Sequence, residues 1–267
     1  VKYLELRCSP VNYTRGGMTQ EEVVTAIREA CCVVPEVETR LLFIGSRHGH
    51  SEDLKTHIDL ASKLLDASAN EGGLGSLVGF DLAGAEEQRS PAELRDAFLP
   101  LLQRCLSVTI HAGETEPAQS IWEAVYHLQA DRIGHGLTLK DSSELIPRFR
   151  DRRIGIELCP ASNMKIVGYR DSYFQTNKDI PVYPLREYLD AGLRVTINTD
   201  NPGISKTNPT RELHRAARMT EGGLSQWEIL LLVRNSFRAT FADHQTRSRL
   251  LREAEKSLMT VIQQHPP

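Results

Sequence analysis

The sequence predicts an α/β fold, a (β/α)8 barrel, and three observations lead there. Short β-rich runs alternate along the chain with amphipathic helical segments, which is the pattern of parallel strands joined by helical crossovers. Polar residues gather at the carboxyl ends of many of these strands: Asp81 and Gly84, His111 and Glu114, His135, Cys159 through Asn163, Asp200 and Asn201. A barrel assembles its active site at one rim from the ends of different strands, so this spread is what the fold requires. Finally, no G-x-G-x-x-G or G-x-x-x-x-G-K-[ST] follows any strand, so an open doubly wound sheet would lack its phosphate-binding turn.

In order, the predicted strands are residues 2–8 (KYLELRC), 40–45 (RLLFIG), 76–82 (SLVGFDL), 107–112 (SVTIHA), 131–135 (DRIGH), 154–159 (IGIELC) and 193–199 (LRVTINT). Crossovers with apolar faces lie between them. In TQEEVVTAIREA, Thr19 is a candidate N-cap with Glu22 three residues on, the spacing of a capping box. In SPAELRDAFLPLLQRC, Pro91 sits at a first-turn position. Beyond the last strand come LSQWEILLLVRNSFRATF and a final helix from about Asp243 to Gln263. A barrel needs eight strands. With seven counted and the first residue already inside a strand pattern, the expectation is that a first strand and its crossover are absent from this chain. No internal repeat, low-complexity tract or linker divides residues 1–267, which are expected to form a single, N-terminally incomplete domain.

At 267 residues and 29.9 kDa the chain has the length of one large domain. Lys and Arg number 32 against 35 Asp and Glu, a net charge of -3, and no block of like charge stands out. That balance gives no reason to expect nucleic acid or an anionic membrane as partner, and it leaves oligomeric state open. The five cysteines, Cys8, Cys31, Cys32, Cys105 and Cys159, are odd in number and contain no C-x-x-C pair, which points to a reduced, cytoplasmic protein. No apolar run of about 18 residues is present, and no charged-then-apolar leader opens the chain.

Taken singly, each rim residue has an ordinary structural explanation. A histidine at a strand end is commonly just hydrogen-bonded, and TD after a strand commonly caps the next helix. Together they say more. Two histidines, a Glu and an Asp at the ends of three different strands converge on one volume in a barrel. Imidazole nitrogen with carboxylate oxygen is a donor set that suits Zn²⁺, and a carboxylate that is not a ligand supplies a proton shuttle.

The segments VGFDLAGAE, TIHAGE, IWEAV, ADRIGHG, ELCPASN and VTINTDNPGIS resemble, in order and spacing, the adenosine deaminase family of metal-dependent hydrolases. The resemblance runs from about Tyr3 to Phe241. It implies a (β/α)8 barrel that hydrolyses the 6-amino group of adenosine or 2′-deoxyadenosine, a cyclic amidine C–N bond, to give inosine and ammonia. By position, His111 and Asp200 match zinc ligands and Glu114 matches the residue that protonates the purine at N1. His135 matches the histidine that orients the metal-bound hydroxide. Gly84 matches the glycine whose backbone amide meets the purine N3. The implied cofactor is Zn²⁺ and the implied partner a small-molecule purine nucleoside.

Two departures are visible. Asn201 stands where many members carry Asp facing the purine N7, and an amide can still donate a hydrogen bond there. The family's first strand ends in an H-x-H pair that supplies two more zinc ligands, and nothing ahead of Val1 provides it, so this chain alone is expected to be impaired. RHGH at residues 47–50 is not expected to replace the pair: Arg47 and His48 match a strand end, and His50 is placed at a helix cap or in solvent. Two alternatives to adenosine deamination stay open: a catalytically silent binding protein of the same fold, and a deaminase of a related purine such as adenine or an N6-substituted adenosine nucleotide.

Overall fold

The computed structural model describes residues 1–48, 51–66, 73–175 and 179–264. Among these the chain forms seven strands separated by helices, the α/β alternation expected for seven of the eight strands of a (β/α)8 barrel. It gathers into two compact units. The first comprises Val1–His111, Glu123–Asp131 and Phe241–Asp243; the second comprises Ala112–Trp122, Arg132–Thr240 and His244–Pro267.

In the first unit lie β1 (Tyr3–Cys8), β2 (Glu38–Ser46), β3 (Leu77–Ala83) and the body of β4 (Ser107–Ala112). Neighbours pair in parallel, with Arg7 opposite Leu42, Ile44 opposite Asp81 and Asp81 opposite Thr109. Parallel strands covered on both faces read as nearly continuous apolar runs, and Leu41, Leu42, Phe43, Phe80, Leu82, Val108 and Ile110 are all fully buried. The crossovers are α1 (Gln20–Cys31), α2 (Ser51–Asp66) and α3 (Arg95–Gln103). Thr19 caps α1 as its sequence predicts: its hydroxyl accepts from Glu22 N at 3.2 Å while the Glu22 carboxylate takes Thr19 N at 2.7 Å.

The start of α3 differs from expectation. Ser90 and Glu93 do form a reciprocal pair, Ser90 N to Glu93 Oε2 at 3.0 Å and Glu93 N to Ser90 Oγ at 3.4 Å. The turn behind Pro91, however, closes with i to i+3 bonds, Leu94 N to Pro91 O and Arg95 N to Ala92 O. Regular helix therefore begins only at Arg95, one turn later than Pro91 suggests.

The second unit holds β5 (Arg132–His135), β6 (Gly155–Leu158) and β7 (Arg194–Ile197), again in parallel register with Ile133 opposite Ile156 and Ile156 opposite Val195. Its helices are α5 (Leu145–Arg152), α6 (Pro160–Ile166), α7 (Leu185–Asp190), the short α8 (Pro202–Ser205), α9 (Pro209–Met219), α10 (Gln226–Arg238) and α11 (His244–Gln264). The α10 helix packs on β7 and on α11, and Asn235 ties it to the strand by donating to Val195 O at 3.1 Å. The remaining helix, α4 (Ala118–His127), follows the turn after β4. No helix among the described residues is long and apolar enough to cross a membrane.

Candidate active site

In the first unit the chemistry is organised by Asp81, which is wholly buried on β3. Its Oδ2 accepts from Arg7 Nη1 on β1 at 2.8 Å, and its Oδ1 lies 3.0 Å from His111 Nδ1 on β4. Burial pushes this carboxyl up, but the His111 ring and the Arg7 guanidinium outweigh it and hold Asp81 well below the usual carboxylate range. An ionised Asp81 makes His111 Nδ1 a donor, so Nε2 is the nitrogen that can meet a metal. A carboxylate behind a ligand imidazole sets its tautomer and raises its basicity. Arg47 adds a second constraint: it is fully buried, and its guanidinium donates to the backbone carbonyls of His111 and, at 3.1 Å, Arg89.

Gly84 follows β3 with φ +107, a left-handed backbone that favours glycine, and a Cβ there would come within 2.5 Å of His48 Nδ1. The left-handed backbone is what calls for glycine, since His48 is an exposed side chain that can turn aside. His48 is thus placed against the turn that carries Gly84, whereas Gly49 and His50 lie outside the described residues.

In the second unit Glu114 and His135 come together. Gly113 turns the chain after β4 with φ +70, and a Cβ on it would meet Ile121 Cδ1 at 2.5 Å and Thr138 Oγ1 at 2.6 Å. That turn delivers Glu114 so that its Oε1 lies 3.3 Å from His135 Nδ1. His135 ends β5 with φ +63, and Asp200, after β7, has φ +53. Left-handed backbone at a non-glycine residue costs of order 1–3 kcal/mol and persists only where the surroundings enforce it. Both residues are therefore held, against their preference, at strand ends.

Asn163 on α6 joins the pair. Its Nδ2 is 3.2 Å from Glu114 Oε1 and 3.0 Å from His135 Nδ1, while its Oδ1 accepts from Cys159 N and Tyr183 Oη, each at 3.2 Å. Asn201 is exposed and its Oδ1 accepts from Ile204 N at 3.1 Å, capping α8. The cap uses the oxygen, and the amide nitrogen is the end suited to donate to a ligand.

Sequence alone marks Asp81 and Asn163 as polar residues at strand ends and gives Arg7 and Tyr183 no functional role. Arg7 is one of three charged residues in KYLELRC, and nothing local separates it, or Tyr183, from its neighbours. As to metal, the donor chemistry of His111 and Asp200 fits Zn²⁺, and the buried Asp81 behind His111 is the kind of support a zinc-binding imidazole has. Among the described residues no group of three or more His, Cys, Asp or Glu side chains is assembled for a cation, so the donors there fit in kind and fall short in number.

Comparison with known proteins matches residues 1–257 to the family model described as "Adenosine deaminase". An adenosine deaminase of Enterococcus faecalis is 32% identical over 246 residues, covering 90% of this chain and 67% of that enzyme. An adenine deaminase of Sinorhizobium medicae is 33% identical over 252 residues, covering 93% and 72%. Among solved structures, an amidohydrolase from Burkholderia ambifaria with bound Zn superposes with a TM-score of 0.83 at 21% identity, covering 99% of this chain and 70% of that one, which establishes a shared fold.

Proposed function

The chain belongs to the adenosine deaminase family of hydrolases, and from that membership we propose that it catalyses zinc-dependent hydrolytic deamination of adenosine, or 2′-deoxyadenosine, to the inosine product and ammonia. The observation that carries the proposal is the approach of Glu114 Oε1 to His135 Nδ1 at 3.3 Å. A proton donor and an imidazole, both mostly buried, are held within reach of each other, which is what acid–base chemistry on a bound ring needs.

Water adds to C6 of the purine as Glu114 delivers a proton to N1 so that the ring accepts the electron pair. The proton given up by the water passes to the amine, the C6–N bond breaks to release ammonia, and the last hydroxyl proton returns to Glu114 as the C6 carbonyl forms. His135 orients the attacking water. The Gly84 amide meets the purine N3 and the Asn201 amide nitrogen donates towards N7. His111 and Asp200 are zinc ligands on family correspondence; when bound, zinc brings the pKa of water to about 7. A cytoplasmic location belongs to the same reading, on the cysteine pattern alone.

Substrate identity is the finer question. The Sinorhizobium adenine deaminase is as similar as the Enterococcus adenosine deaminase, which supports adenine as a second reading. The test is ammonia release and ultraviolet change on adenosine, 2′-deoxyadenosine, adenine and an N6-methylated adenosine nucleotide, in zinc-containing buffer. The highest kcat/KM is expected on adenosine. Adenine in first place would shift the substrate, and no release from any of them would favour a silent binding protein.

A further inference from the structure

We infer that Asn163 is a positioning residue that decides which ring nitrogen of His135 carries the proton and which oxygen of Glu114 delivers one. The inference rests on the roles proposed above for those two residues. Asn163 is fully buried on α6, four residues after Cys159, with Pro160 at the first helical position between them.

A side-chain amide can face either way, and its neighbours decide which. Here the decision falls to the Cys159 backbone N–H, 3.2 Å from Asn163 Oδ1. A backbone N–H can only donate, so the atom facing it must be oxygen. Tyr183 Oη donates to the same oxygen at 3.2 Å. The Nδ2 end therefore faces the acid and the imidazole, with one N–H for Glu114 Oε1 at 3.2 Å and one for His135 Nδ1 at 3.0 Å. In this orientation both hydrogens and both lone pairs of the amide are used.

An N–H aimed at His135 Nδ1 requires a lone pair there. His135 is then a neutral imidazole with its proton on Nε2. Glu114 Oε1, 3.3 Å from the same Nδ1, would draw a proton onto that nitrogen if the amide were turned round. The Cys159 N–H prevents the turn. Because Oε1 already accepts from Asn163, the proton that Glu114 gives to substrate is carried on Oε2.

The experiment is nitrogen-15 NMR of the ring-labelled full chain at neutral pH, with the His135 signals identified by their loss in His135→Gln. The expected result is an unprotonated Nδ1 and a protonated Nε2. Asn163→Asp keeps an acceptor for Cys159 and Tyr183 but presents a carboxylate oxygen to His135, so it should move the proton to Nδ1. The same variant should lower kcat on the order of 10²-fold with KM little changed. Tyr183→Phe keeps the Cys159 donor and should leave the proton on Nε2. A protonated Nδ1 in the unsubstituted chain overturns the inference, and so does an unchanged ring in Asn163→Asp. Should that variant fail to fold, the spectrum of the unsubstituted chain alone decides. A protein that shows the expected ring but deaminates no purine would sink the proposed function, and with it the Glu114 part of the inference, and leave only the assignment of the His135 proton by Asn163 standing.

Discussion

His111 Nδ1 and Asp81 Oδ1 meet at 3.0 Å, and the second oxygen of the same buried carboxylate receives Arg7 at 2.8 Å. Asp81 thus serves two partners, one that would hold a metal and one that reaches it from β1, two strands away. Asp81→Asn should weaken zinc binding by about 10–100-fold, the usual loss when a metal-binding imidazole loses its carboxylate support. Competition with a chromophoric chelator reads this directly. Asp81→Ala should also destabilise the fold by about 1–3 kcal/mol, because the part-buried Arg7 and His111 lose their shared partner. Urea unfolding checks it, and equal stability of the Ala variant would mean that Arg7 is satisfied elsewhere.

Zinc should be held loosely by this 267-residue chain. Family correspondence supplies His111 and Asp200 as donors, and no cluster of three donors is assembled among the described residues. A structural or catalytic zinc ordinarily takes three or four protein ligands. Elemental analysis after dialysis should therefore find well under one zinc per chain. A full equivalent of tightly held metal would require further donors, with His48 and His50 the first to substitute.

Glu114→Gln should retain purine binding and lose turnover by at least about 10²-fold, the contribution expected of a positioned proton donor. Steady-state deamination followed by ultraviolet absorbance gives kcat, and equilibrium binding of a purine gives affinity. Near-normal kcat would move the acid role to another group.

Gly113→Ala should cost about 1–3 kcal/mol through overpacking alone. The added methyl meets Ile121 and Thr138 at 2.5 and 2.6 Å, and the backbone at φ +70 adds strain of its own. Thermal unfolding should show a midpoint lowered by several degrees, with the loss of activity at Glu114 accompanying it. A variant as stable as the parent would show that the turn after β4 can relax.

Stability should also fall in acid through Glu228. Hydrogen bonds from the Arg186 side chain, then from Ser225 N at the start of α10, bring its carboxyl down from 4.5 to about 2. A carboxyl depressed in the folded state contributes stability fully above pH 4.5, and that contribution drains away as pH falls towards 2. Urea midpoints measured from pH 6 to pH 3 should decline less steeply in Glu228→Gln than in the parent. Parallel slopes would assign the acid sensitivity to other groups.

Much of the fold is legible because the signals are local. The strand runs RLLFIG and SLVGFDL announce β2 and β3 by continuous apolar residues, and Thr19 with Glu22 announces the start of α1 by a three-residue spacing. Where a local signal meets a neighbour the reading slips. Pro91 opens a turn that closes with i to i+3 bonds, so α3 starts later than its sequence suggests.

By itself the sequence determined the strand and helix order, and it placed His111, Glu114, His135 and Asp200 at strand ends, because periodicity and residue type are properties of adjacent positions. Tertiary structure decided the partnerships. Asp81 finds Arg7 across 74 positions of sequence, and Asn163 finds Glu114 across 49 and Tyr183 across 20. No periodicity encodes such pairs. They follow from strand register, from the left-handed turns at Gly113 and His135, and from burial that leaves a polar group no water and so obliges it to find a protein partner.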